Sequence, residues 1–330
     1  MDTRLDAELT AYEVSDEEFV DAAFRHVLRR PPETDARERA LEKLAQGTLS
    51  RATLLHELTS SDEFTRVREL DDAVALGLGA RARGERIRWL QAPAGTDERV
   101  VEIPWVLSRL RTSGRVLEVG YAFAETAYLA ALLRSGVELV GVDLATREVA
   151  GMQAVEADVR RLPFPDRSFD QVLLVSTLEH VGADNTVYGL EAERDESARL
   201  AALRELGRVL RRDGSLLVTV PLGEPGDHGW FRQEDQRGWT RLYARAGFFL
   251  EEREAYELQP DGWRAAPDFR PEGVRYGERG PAASAVLCAE LTPGRFRRLA
   301  TPGGLRKATR RRAARTYRRV RPHDRELPSD

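Results

Sequence analysis

The stretch Arg115-Val116-Leu117-Glu118-Val119-Gly120-Tyr121-Ala122-Phe123-Ala124, continued through Thr126–Leu133 and Val137–Val142 to Asp143-Leu144, decides the fold. An apolar run leads into a turn that carries small residues, then an apolar helical pattern, a second apolar run and an acid. That order is the βαβ unit that begins a nucleotide-binding α/β sheet. Parallel strands covered on both faces read as continuous apolar runs, as both of these do. The turn falls at the carboxyl end of the first strand, where open sheets bind ligands. Small residues there let backbone N–H groups and a helix N-terminus come close to a ligand. Asp143, closing the second strand, can accept both hydroxyls of a ribose.

Downstream the α/β order continues. Val155–Asp158 reads as a short third strand ending on a second acid, and Phe169–Val175 as a fourth, with Ser176–Gly182 the loop beyond it. Ser197–Leu210 is an amphipathic helix, Asp213-Gly214 a turn, and Ser215–Val220 a fifth strand closed by Pro221. A polar segment and a helix over Thr240–Ala246 follow. Phe248–Tyr256 and Ala283–Leu291 alternate as a closing antiparallel pair.

Upstream, the first eighty or so residues read as helical. Ser15-Asp16-Glu17-Glu18 is a capping box, and Phe19, Ala23, Phe24, Val27 and Leu28 recur at helical spacing behind it. Further helices start at Asp35, Ser50 and Ser61, each too short to stand alone, so they must pack as a bundle. The expected division is a helical module over 1–70, a linker over 71–96, an α/β domain over 97–292 and a basic tail over 293–330. Within the α/β domain a helix from Asp97, kinked at Pro104, should pack on the sheet edge.

The chain has 330 residues, a formal net charge of -4, 32% charged residues and a single cysteine, Cys288. No internal disulfide or cysteine metal site is possible, which fits a reducing cytoplasm. No apolar run is long enough to span a bilayer, and no signal peptide is visible. From Pro293 onward there are thirteen basic and three acidic side chains, a net +10 that leaves -14 for the rest. An acidic body with a basic tail points either to a helical tail that meets an anionic surface, such as the inner face of a membrane, or to a solvated, partly disordered terminus.

Several further pieces then fall into register. Glu118-Val119-Gly120 with Ala122 and Ala124 occupies an acid-x-Gly-x-Gly-x-Gly loop. Asp158-Val159 precedes Leu162-Pro163-Phe164, Phe169-Asp170 opens the fourth strand, and Glu179-His180-Val181 follows it. Leu206-Gly207-Arg208-Val209-Leu210 runs through Asp213-Gly214 into the fifth. On these motifs, residues 100–291 resemble bacterial class I S-adenosylmethionine-dependent methyltransferases of the type 11-like group. The resemblance implies a Rossmann-like seven-stranded methyltransferase sheet, with an N-terminal all-α small domain beside it. It implies S-adenosylmethionine as cofactor, held by Glu118, Gly120, Ala122, Asp143, Leu144, Asp158, Val159 and Ser176. Glu118 suits the amino-acid end, Asp143 the ribose diol, and Asp158 the adenine amino group. Three departures stand out: alanine at the second and third glycine positions, bulky Tyr121 and Phe123 in the loop, and a short span from Asp143 to Asp158.

The helical segment from Val14 to Arg66 resembles a small domain family of unknown function, found beside bacterial glycosyltransferases and methyltransferases of surface-glycan loci. Phe19, Phe24, Val27-Leu28, Leu44, Gly47, Leu49-Ser50-Arg51, Leu55 and Ser61–Phe64 carry that resemblance. A bulky residue often found in its second helix is absent. It holds no catalytic constellation and reads as a docking or spacer module.

Methyl transfer is an in-line displacement, so most of its catalysis is positioning. A hydroxyl acceptor also needs its proton removed, and histidine is the usual base near neutral pH. His180, on the loop where the family's methyl group and acceptor meet, is the candidate base; Glu179 could orient it, and His228 is the rival. Asp184, Asn185 and Tyr188, in a stretch that general methyltransferases lack, read as acceptor pocket or as a plain Asx turn. Trp230 and Arg232 stand in a segment dense in sugar-binding side chains, with Trp230 either a stacking platform or ordinary packing. No tight ligand spacing supports a metal. The expected acceptor is a sugar or surface-glycan hydroxyl. The alternatives are a non-catalytic scaffold that keeps the fold, or an RNA methyltransferase using the tail, whose Arg with a single Tyr offers little stacking surface.

Overall fold

The computed structural model describes residues 14–190, 193–280 and 282–294. Apart from Pro293 and Gly294, the predicted basic tail lies outside the described residues, and so does the membrane contact expected of it.

Four helices come first: α1 (Asp16–Val27), α2 (Thr34–Ala45), α3 (Arg51–Thr59) and α4 (Asp62–Ala82). The predicted capping box forms, with the Glu18 N–H donating to the Ser15 hydroxyl and the Ser15 N–H to the Glu18 carboxylate. Ser50 and Ser61 cap α3 and α4 with the hydroxyl alone, which accepts from the Thr53 and Phe64 N–H groups. Phe19, Val20 and Ala23 of α1 are fully buried in a small core of their own with Leu54 and Leu58 of α3.

The expected linker over 71–96 is largely absent, because α4 does not stop near residue 70 but runs on to Ala82. Its second half belongs to the α/β core, with Ala73 and Val74 buried there. Gly77 makes this possible: a Cβ at that position would sit 2.8 Å from the Pro104 Cα. That proline belongs to α5 (Arg99–Leu107), every residue of which from Val100 on is buried. α5 lies over the sheet face rather than at the sheet edge, because a helix that is apolar all round must be covered on all sides.

The sheet has nine strands: β1 (Gln91–Ala92), β2 (Arg115–Val119), β3 (Glu138–Asp143), β4 (Gln153–Glu156), β5 (Phe169–Val175), β6 (Leu210–Pro221), then β9 (Phe248–Gln259), β10 (Gly262–Ala265) and β11 (Ala285–Pro293). Between β6 and β9 a two-residue pair, β7 (Gly226–Asp227) and β8 (Arg232–Gln233), forms a separate ribbon. The order in the large sheet is β1-β10-β9-β11-β6-β5-β2-β3-β4. β2 to β6 run parallel, and β11 is antiparallel to both neighbours, β6 and β9. The seven expected strands are thus present. Two short ones extend the edge: β10 folds back from β9 as a hairpin, and Gln91–Ala92 of the supposed linker pairs with it.

Alternation along the strands divides the interior in two. Val172, Leu174, Leu216, Val218, Leu287 and Ala289 face α7 (Ala198–Val209) and α8 (Gln236–Arg245). Leu173, Leu217, Val286 and Cys288 face α4, α5 and α6 (Thr126–Leu133). α8 begins four residues earlier than its apolar pattern suggests, because the Asp235 carboxylate caps the Gly238 N–H at 2.6 Å. No helix joins β3 to β4, in keeping with the short span noted above. β2 pairs with β3 on one side and β5 on the other, so the chain order reverses around it and a crevice opens at the carboxyl ends of these strands.

Candidate active site

The crevice beyond β2, β3 and β5 encloses about 240 Å³. Glu118 and Gly120 line it from β2 and its turn, Asp143 and Leu144 from the end of β3, and Asp158 and Val159 from beyond β4. Ser176, His180, Asn185 and Tyr188 close the opposite wall. Ala122, Glu179, Asp184, His228, Trp230 and Arg232 are not on its surface.

The turn after β2 is set by Gly120, which has φ +87°, and a Cβ there would lie 2.4 Å from the Thr177 hydroxyl. Residues Tyr121–Phe123 then make one tight 3₁₀ turn. Ala122 faces away from the crevice, and its N–H donates to the Asp143 carboxylate at 3.0 Å. Tyr121 does not plug the site. Its ring turns under β3 and is fully buried, against the space left by Gly141, where a Cβ would come 2.8 Å from the ring. Phe123 stands at the rim, 54% exposed, with its ring 4.8 Å from that of Tyr188. Arg147, in the segment that replaces the missing helix, ties this loop down by donating to the Ala124 carbonyl and the Thr126 hydroxyl, both at 3.0 Å.

The three acids sit in different electrostatic settings. Glu118 is 1% exposed, and burial pushes its carboxyl up to about 8, against the Tyr128 hydroxyl, which donates to it at 2.9 Å. Burial also raises Asp143, opposed by the N–H groups of Ala122 and Ala145. Asp158 goes the other way: burial would raise it, but the Arg160 guanidinium, bonded to both its oxygens, holds it below the usual range. Arg160 also pairs with Glu193 on the crevice wall.

His180 is held from behind. Its Nδ1 lies 2.9 Å from the Trp230 carbonyl, which can only accept, so Nδ1 carries the proton and Nε2 keeps its lone pair. The Trp230 ring stacks on the imidazole at 5.2 Å. Trp230 therefore backs His180 and is no platform on the crevice wall. Burial lowers His180 to about 4. Glu179 is fully buried, its carboxyl raised well above the usual range by desolvation, and its Oε1 stays 3.9 Å from the His180 Nε2, beyond a hydrogen bond. Asn185 donates to the His180 carbonyl at 3.0 Å, while its own buried Oδ1 has no protein partner.

His228 does not reach this site; it is exposed and stacked on Phe231 with ring centroids 4.4 Å apart. Asp184 forms the plain Asx turn, accepting from the N–H and hydroxyl of Thr186. Arg232 is spent on Glu196 and Asp227, each at 3.7 Å. Among the described residues no group of three or more His, Cys, Asp or Glu side chains is arranged to hold a metal.

Sequence reasoning passed over Arg99, Tyr128, Arg147 and Arg160. Arg99, from the first turn of α5, lines the crevice beside the Glu118 end. Its signal was visible as charged Glu98, Arg99 and Glu102 at the start of an otherwise apolar helix. Glu102 is fully buried, paired with Arg99, and accepts from the Ser176 hydroxyl at 2.8 Å. That bond holds Ser176 at φ +41°, a left-handed conformation unusual for a side-chain-bearing residue.

Residues 117–218 match the methyltransferase domain family, and residues 6–67 match a domain of unknown function, DUF4214. The ubiquinone/menaquinone biosynthesis C-methyltransferase UbiE of Pseudomonas putida is 27% identical over 176 residues. The match spans 49% of this chain and 62% of that relative, under two thirds of its length. Among solved structures, the 1,6-didemethyltoxoflavin-N1-methyltransferase of Burkholderia thailandensis, crystallised with bound 1,6-didemethyltoxoflavin and S-adenosylhomocysteine, is 16% identical. It covers 81% of this chain and 93% of its own, with a TM-score of 0.41. A SAM-dependent methyltransferase of Methanosarcina mazei is 13% identical, covers 58% and 97%, and has a TM-score of 0.40.

Proposed function

We propose that this chain, whose residues 117–218 form a methyltransferase domain of the class I type, transfers a methyl group from S-adenosylmethionine to a hydroxyl of a sugar or surface-glycan precursor. One observation carries the cofactor half: Glu118, Asp143 and Asp158, from three separate elements, meet on a single crevice. The residues present fit the group. The cofactor brings a sulfonium and an ammonium, and Glu118 offers a buried carboxyl with no cation of its own, which an arriving ammonium would ionise. Asp143 keeps lone pairs free for a ribose diol beyond the two N–H groups it accepts. At the adenine end Asp158 is already paired with Arg160, so Val159 and the exposed Leu144 are left to flank the base.

Bound S-adenosylmethionine supplies an electrophilic methyl on a sulfonium. The chain's own part is orientation and proton removal. His180, on the crevice wall, would take the acceptor proton at Nε2 as the oxygen–methyl bond forms and the sulfur–methyl bond breaks, the neutral thioether leaving. The unpartnered Asn185 Oδ1 can accept from a second hydroxyl, and the Tyr188 and Phe123 rings give a sugar ring an apolar face. These groups, rather than Trp230, support the sugar reading.

Calorimetry with S-adenosylmethionine tests the cofactor half: saturable binding supports it, and none at millimolar concentration favours a non-catalytic scaffold. Incubation with labelled cofactor and surface-glycan intermediates tests the acceptor; label on protein or RNA alone rejects it. Among the described residues no helix is long and apolar enough to cross a membrane. Action in the cytoplasm is part of the same proposal.

A further inference from the structure

Arg99 is the one arginine on the crevice wall, among the described residues, that leaves most of its donors uncommitted. The other, Arg160, is bonded through Nε and both terminal nitrogens to Asp158 and Glu193. Arg99 uses a single terminal nitrogen, Nη1, to pair with Glu102, with Glu98 3.9 Å away. Its Nε and Nη2 have no protein partner, and its side chain stays 29% exposed. Its position is fixed from both sides. The backbone N–H of Arg99 donates to Asp97 at 3.0 Å at the start of α5, and the fully buried Glu102 holds the guanidinium one turn on. Arg99 lines the same crevice as Glu118, Glu125, Tyr128 and His180, and its charge bears on Tyr128, Glu125, His180 and Glu179.

We infer that Arg99 is the receptor for the α-carboxylate of the cofactor, with Glu118 opposite it taking the ammonium. A zwitterion needs one group of each sign at fixed separation, and a planar guanidinium with two free donors matches a carboxylate. The three carboxylates near Arg99, those of Asp97, Glu98 and Glu102, do not remove this capacity, because they come from its own segment and the two that approach its guanidinium, Glu98 and Glu102, both do so at Nη1. They fix the fork and leave its open edge to the crevice. Arg99 is here a ligand-binding residue with no part in the chemical step.

The inference rests on the reading of the crevice as an S-adenosylmethionine site, and one comparison separates the two. Decarboxylated S-adenosylmethionine keeps the adenine, ribose, sulfonium and ammonium and lacks only the carboxylate. By calorimetry, wild-type protein should bind S-adenosylmethionine about tenfold or more tighter than the decarboxylated compound. Arg99→Gln should lose that preference by weakening only the carboxylate-bearing ligand. Arg99→Lys, which keeps the charge beside Glu102 should Gln not fold, should retain part of it. A wild-type protein that binds both ligands equally overturns the role of Arg99 while leaving the site intact. A variant whose affinity for both falls together overturns it too. Failure of both ligands to bind wild type removes the site itself.

Discussion

At the scale of single residues, the crevice depends on acids kept out of water. Glu118 is lifted from an ordinary carboxyl value to about 8, so between those two values the folded chain binds a proton that the unfolded chain has released. The stability this group contributes is full below the unfolded value and is lost as pH rises through about 8. Glu118→Gln should therefore flatten the fall in Tm between pH 5 and 8, seen by calorimetric melts, while weakening S-adenosylmethionine about tenfold or more. A variant that binds the cofactor as wild type does would refute the ammonium role. His180 titrates in the opposite sense: at about 4 it is neutral through the physiological range, so its rate profile should be flat above pH 5 and fall only near its own value. His180→Ala should cut turnover by about 10²-fold or more with cofactor affinity unchanged, and unaltered turnover would reject it as base. Glu118, Asp143 and His180 were legible in sequence because each ends a strand or follows one. Trp230 was not, since which face of His180 it covers is settled by the β7–β8 ribbon.

At the scale of elements, the turn after β2 shows how a loop with alanine in place of two glycines still serves. Only Gly120 needs the left-handed region, and only there does a side chain collide, with Thr177. Ala122 and Ala124 adopt ordinary backbone, and Tyr121 finds room under Gly141. Gly120→Ala should cost about 2–3 kcal/mol in chemical denaturation, from strain at positive φ plus the clash, whereas Ala122→Gly should cost under about 1 kcal/mol. The missing helix between β3 and β4 is offset by Arg147, whose guanidinium bridges the turn and the start of α6. Arg147→Ala should leave Tm within a few degrees and weaken cofactor binding several-fold, read by the same calorimetry; a large loss of Tm with unchanged affinity would show the clamp to be structural only. The short span was readable as a missing helix, but its replacement was not, because an arginine in a charged loop carries no local mark of what it will hold.

At the scale of the whole molecule, the division between helical module and sheet falls inside one helix. The first half of α4 follows the small bundle, and the second half lies on the α/β core through Gly77 and Pro104. Removing residues 1–60 should leave a sheet domain that melts cooperatively. Removing residues 1–96 takes away the cover of α5, whose buried Val, Ile and Leu side chains are worth about 2 kcal/mol each, and should give an aggregating protein by light scattering. Equal behaviour of the two truncations would put the boundary back near residue 70. The amino-acid sequence by itself determined the succession of strands and helices along the chain, the α/β class, the capped helices and the acids at strand ends. Those follow from periodicity, turn chemistry and capping, which act over a few residues. Only the tertiary structure decided that α4 belongs to both halves, that Gln91–Ala92 joins the sheet and that Arg99 enters the crevice. It also decided that Asp158 is already paired and that His228 stays outside. Each of those is a contact between residues far apart in the chain, and its free energy comes from a partner that local sequence does not name.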